Sequence, residues 1–105
     1  MRVTVSHNKP KQEIMRAVDR SFDDIFRNVG IVPLKIENEK RAWTGQRLDF
    51  SFTARMGFLS SPIKGYVDVT DQDLTIDADL GLLERLIGGQ GTRTAIEDRA
   101  RKLLT

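Results

Sequence analysis

Three stretches between Arg47 and Leu80 alternate apolar and polar residues. Leu48, Phe50, Phe52 and Ala54 share one phase, Ile63, Val67 and Val69 the next, and Leu74, Ile76, Ala78 and Leu80 the third. Side chains on a strand point alternately to opposite faces, so each stretch has a dry face and a wet one. That pattern describes an antiparallel sheet covered on one side only. Met56–Pro62 reads as the connection between the first two strands. Asp71-Gln72-Asp73 reads as a tight hairpin turn between Val69 and Leu74.

Ahead of this region, Arg2–Ser6 predicts a short strand with Val3 and Val5 in phase. Ile14, Met15, Val18, Phe22, Ile25, Phe26 and Val29 then follow the helical period and predict a helix over about residues 10–28. Asn8 suits its N-cap, Pro10 its first turn and Gly30 its stop. The opposite face carries Glu13, Arg16, Asp19, Arg20, Asp23, Asp24 and Arg27, alternating in sign as a solvated face does. Val32–Glu37 predicts a second strand, with Leu34 and Ile36 inward and Lys35 and Glu37 outward; Pro33 suits its start. Asn38–Arg41 reads as a polar turn, Ala42–Thr44 as a short strand and Gly45-Gln46 as another turn.

After Leu80 the period changes. Leu82, Leu83, Leu86 and Ile87 fit one face of a short helix, and Gly88–Gly91 breaks it. Thr94 and Glu97 have capping-box spacing. Ile96, Ala100, Leu103 and Leu104 form the stripe of a last helix, with Arg93, Glu97 and Arg101 spaced for surface pairs. The expected fold is a single α+β domain over residues 1–105: a two-layer sandwich, an antiparallel sheet with helices packed on one face, in the order β-α-β(3–5)-α.

Composition narrows the chemistry. The chain has no cysteine and one histidine, which excludes disulfides, thiolate nucleophiles and Cys-ligated or His–His metal motifs. Its net charge is +2, with acids interleaved among the bases, unlike the one-sided stripe of a nucleic-acid binder. Met1–Val5 lacks the apolar run of a signal peptide, and no stretch has the length of a membrane span, so a cytoplasmic protein is expected.

Each candidate for chemistry has a plain structural reading. Gly88-Gly89-Gln90-Gly91-Thr92 is glycine-rich but follows a helical segment and lacks the Gly-Lys-Ser/Thr ending of a phosphate loop. Asp49, Asp68, Asp77 and Asp79 share the polar sheet phase, yet Arg47, Arg55 and Lys64 lie there too. His7 has no evident acid or nucleophile beside it. The informative residues are Phe58 and Leu59, two large apolar residues in a connecting segment. They either fold back as a lid on the core or project to meet an apolar surface or partner. Trp43 poses the same choice.

Trp43-Thr44-Gly45-Gln46-Arg47-Leu48-Asp49-Phe50-Ser51 resembles the Trp-x-Gly-x-x-Leu-x-Phe-Ser stretch of the polyhydroxyalkanoic acid system proteins, a family of small bacterial proteins. Gly65–Asp71 is similar to that family's Gly-x-x-x-Val-Thr-Asp segment, and Leu80-Gly81-Leu82-Leu83 before a charged helix continues the likeness. The Gly88–Gly91 run departs from it and leaves the register of the C-terminal helix open. The resemblance implies a non-enzymatic accessory or binding protein linked to polyhydroxyalkanoate storage granules or their metabolism, located at the granule surface. It carries over no catalytic residues.

The element order also resembles β-α-β4-α helix-on-sheet folds that bind lipids or macromolecules. The alternative reading is therefore a carrier of a small hydrophobic acyl or hydroxyacyl ligand, held between helix and sheet. Phe58, Leu59 and Trp43 are the candidate contacts with a hydrophobic surface or partner. No catalytic residue, metal or cofactor is expected. An exposed edge strand offers pairing with a second copy of the chain.

Overall fold

The alternation between Arg47 and Leu80 folds into antiparallel strands whose apolar phases all face the same way. The computed structural model describes residues 1–27, 35–81 and 89–104. In order these form β1 (Arg2–Ser6), α1 (Lys11–Arg27), β2 (Lys35–Thr44), β3 (Arg47–Met56), β4 (Leu59–Val69), β5 (Asp73–Asp79) and α2 (Gly89–Leu103). The fold is α+β, with one five-stranded antiparallel sheet ordered β1-β5-β4-β3-β2. The first strand thus closes against the last, an arrangement that local patterning does not specify.

Register explains the core. Trp43, Leu48, Val67, Ile76 and Val3 lie in one row across the sheet, all in the inward phase. On this face Ile14, Val18, Phe22 and Ile25 of α1 and Ile96 and Ala100 of α2 join the inward strand residues in one buried cluster. The Phe22 ring meets Phe50 edge-on at 5.0 Å and Phe52 at 6.1 Å between centroids. Such pairing adds about 0.5–1.5 kcal/mol per pair beyond area burial. α1 bends at Ser21, whose backbone (φ −111°, ψ 15°) leaves helical geometry. The Phe26 side chain, Val29, Gly30, Val32–Leu34, the Leu82/Leu83/Leu86/Ile87 segment and Gly88 fall outside what is described.

Several expectations need correcting. Asn38–Arg41 is not a turn; β2 runs straight through it. Its register against β3 shifts between Glu37 and Lys40, so Asn38 and Glu39 together oppose Phe52. Asn38 takes a left-handed backbone (φ 55°), which asparagine tolerates better than most residues, and makes a β-bulge. Met56–Pro62 is not an open connection either. Met56 pairs with Leu59, so β3 and β4 form a hairpin closed by Gly57-Phe58. Gly57 has φ 64° and Phe58 does not share the positive φ, the pattern of a type II′ turn with glycine at its first central position.

The start of α1 is capped from far away in the chain. Pro10 O accepts the first helical hydrogen bonds, from the N–H groups of Glu13 and Ile14. The free Lys11 N–H donates to Asp71 Oδ1 at 3.0 Å. Asp71, and not Asn8, does the capping, because the β4–β5 turn is held against the helix entry. The Thr70 hydroxyl accepts from the N–H groups of Gln72 and Asp73. His7 N–H donates to Gln72 O, and His7 Nε2 donates to Thr70 O at 2.8 Å while Nδ1 accepts from Lys9 N–H. His7 is thus a structural staple with both ring nitrogens occupied.

At the other end, α2 begins at Gly89, so the glycines after Gly88 belong to its first turn and Thr94 lies inside it. Glu97 makes no capping box; its carboxylate pairs with Arg101 at 2.6 Å, one turn on. Arg93 Nε donates to Arg2 O at the outer edge of β1.

Candidate functional site

The β3–β4 hairpin carries Phe58 at its tip. The side chain is 93% exposed, while Leu59 next to it is 37% exposed. Turn positions ordinarily hold small or polar residues, because the tip is wet on every side. The lid expectation therefore fails: Phe58 projects. It cannot fold back, because strand pairing continues up to Met56↔Leu59 and leaves only two residues to make the turn. Met56, on the same face as Leu59, is half-buried and packs against the core. The arm is stiffened below its tip by an ion pair between Arg55 and Glu37 of β2. Buried Ser61 also donates to Leu80 O at 3.2 Å.

Trp43 is elsewhere. It sits near the opposite end of β3, opposite Leu48, about 27 Å along the sheet from the hairpin tip at ordinary strand rise. It is half-buried in the inward phase of the edge strand β2. Its indole N–H donates to Asp19 Oδ1 on α1 at 3.3 Å. The three sequence-predicted contacts thus form one pair, Phe58 with Leu59, and one separate site at Trp43.

Arg41 was not foreseen at this second site. The bulge at Asn38 sets the phase in which Arg41 lies opposite Phe50, on the inward side. From there its guanidinium donates to Asp19 O at 3.0 Å, lies 3.6 Å from Asp19 Oδ1 and pairs with Glu39 at 3.0 Å. It also covers the Phe22 ring at 5.0 Å. The missed signal was Asn38, a residue that favours a left-handed bulge in an otherwise continuous strand pattern. Arg41 and Trp43 together seal the open side of the sandwich onto α1.

The outward sheet face carries the four aspartates where they were expected, but their surroundings are basic. Asp77 receives Arg2 Nε at 3.0 Å, and this hydrogen bond raises the Arg2 pKa above its ordinary value. Asp79 accepts from Gly81 N–H. Arg47 stacks over the Tyr66 ring at 4.1 Å. Among the described residues no group of three or more His, Asp or Glu side chains is placed to hold a metal ion. No described helix is long and apolar enough to cross a membrane.

Set against models of protein families and against curated proteins, the chain matches neither.

Proposed function

We propose that this protein is a non-enzymatic binding protein that attaches to a hydrophobic surface through the β3–β4 hairpin tip. The observation that carries the reading is Phe58, almost wholly in water on a hairpin that does not let it retreat. Moving a phenylalanine side chain out of water is worth about 2 kcal/mol, or about 30-fold in affinity. The surface of a storage polyester is the partner implied by the resemblance of Trp43–Ser51 and Gly65–Asp71 to the polyhydroxyalkanoic acid system proteins.

The motif residues have structural work that accounts for their positions. Gly45 supplies a positive φ of 60° at the β2–β3 turn. Leu48 and Phe50 are core, Thr70 builds the β4–β5 turn and Asp71 caps α1. The tip itself lies outside both motifs.

The alternative, an acyl ligand enclosed in the interior between α1 and the central strands, has less support. Phe22, Phe50 and Phe52 stand ring against ring in that space. Edge pairing with a second copy is opposed by the β2 bulge and by Arg93 occupying the Arg2 carbonyl.

The test is co-sedimentation with purified polyhydroxyalkanoate granules. The double variant Phe58→Ser, Leu59→Ser is expected to keep its fold by circular dichroism and to lose most of its granule association. A folded double variant that sediments like the parent protein refutes the tip as the contact.

A further inference from the structure

A second surface, independent of the hairpin tip, combines apolar floor and free positive charge. Gln12, Met15, Arg16, Asp19 and Arg20 recur at helical spacing along one flank of α1, and Trp43 of β2 faces them across an open groove of about 510 Å³. Its lining combines Trp43 and Met15 with long polar side chains, whose aliphatic stems can cover apolar surface while their heads stay in water.

The charges are what make the groove selective. Asp19, the acid that lines it, is already engaged: it accepts from Trp43 Nε1–H at 3.3 Å and faces Arg41 at 3.6 Å. Arg16 Nε reaches only the Gln12 carbonyl, at 3.4 Å. Among the described residues, no carboxylate is within ion-pair distance of Arg16 or Arg20. One helical turn apart on the same flank, these two guanidinium groups can bracket a single anionic head.

The structure assigns this groove to a small amphipathic anion, its apolar body along Trp43 and Met15 and its compact anionic head between Arg16 and Arg20. Both requirements come from the lining. An uncharged chain leaves the guanidinium pair unused, and a short anion leaves the indole uncovered.

Trp43 is the only tryptophan in the chain, so its fluorescence reports on this groove directly. Octanoate is the probe, with 1-octanol and acetate as controls and calorimetry as a second readout. Octanoate is expected to give a saturable fluorescence change. In Arg16→Gln, Arg20→Gln the affinity should fall about tenfold or more, as expected for losing charge-assisted contacts. Octanol should bind more weakly and ignore these substitutions, and acetate should not compete. Both arginines are exposed, and circular dichroism verifies that the variant folds. The assignment is overturned by a dissociation constant weaker than about 1 mM, by equal octanoate binding in the double variant, or by octanol binding as tightly as octanoate. The Phe58→Ser, Leu59→Ser protein should bind octanoate normally, so failure here and failure of granule attachment are separable.

Discussion

Asp71→Ala removes a helix cap that lies 60 residues away in sequence from the helix it serves. In the folded protein the Lys11 N–H loses its acceptor and the positive end of the α1 dipole loses a carboxylate. A side-chain cap is worth about 1 kcal/mol, within a range of about 0.5–2. A carboxylate beside an exposed helix start adds about 0.3–1 kcal/mol. The expected loss is therefore about 1–2 kcal/mol. For a domain of this size each kcal/mol shifts the melting midpoint by about 4–8 °C. Asp71→Asn keeps an acceptor oxygen and should lose only the smaller, charge-dependent part. Asn8→Ala should be close to neutral, because Asn8 is exposed and Pro10 O and Asp71 hold the helix entry. Urea unfolding followed by far-ultraviolet circular dichroism, with Trp43 fluorescence as a second probe, measures all three variants. If Asn8→Ala costs as much as Asp71→Ala, the helix is capped locally and the reasoning is wrong.

Two further outcomes can be measured directly. A Cβ at position 65 would lie 2.1 Å from Asp77 O and 2.8 Å from Ala78 Cα, both backbone atoms that cannot swing aside. Gly65→Ala should therefore force β4 and β5 apart and cost about 3 kcal/mol or more, with faster amide exchange in β5; a loss under about 1 kcal/mol contradicts it. The hydrogen bond from Arg101 holds Glu97 below its ordinary carboxylate pKa. A lowered folded-state pKa means stabilisation that is present above the unfolded value and lost as pH falls through the folded one. In Arg101→Gln the Glu97 titration, followed by NMR, should move up toward the ordinary range, and added salt should do the same in the parent protein.

The strong alternation of Leu48–Ala54 and Leu74–Leu80 made the sheet legible, because a two-residue period with one buried face has a single solution per strand. The amphipathic stripe of α1 was legible for the same reason at its own period. Within β2 the pattern gives strand at Lys35–Glu37 and at Ala42–Thr44, as the structure has it, and a false turn at Asn38–Arg41 between them. As an edge strand β2 is solvated on more than one side, so polar residues such as Glu39, Lys40 and Arg41 cost nothing there and hide its periodicity. The Met56–Pro62 segment reads as a connection because it lies between two alternating stretches, yet most of it is strand. Gly57 makes only a two-residue turn, and Pro62 sits exposed on the outward face of β4. For the candidate site, the apolar character of Phe58, Leu59 and Trp43 was visible, but their division into two separate places was not.

Local period and composition by themselves determined an α+β class, the dry faces of β3, β4, β5 and α1, and the exclusion of cysteine chemistry and of His–His metal motifs. Tertiary structure alone decided which distant groups meet. It set β1 beside β5, brought Asp71 to the α1 entry, turned Arg41 inward through one bulged residue, and put Arg16 and Arg20 beside Trp43 with no ion-pair partner among the described residues. The physical reason is that side-chain period is written into neighbouring residues, whereas caps, bulges and grooves depend on contacts between residues far apart in the sequence.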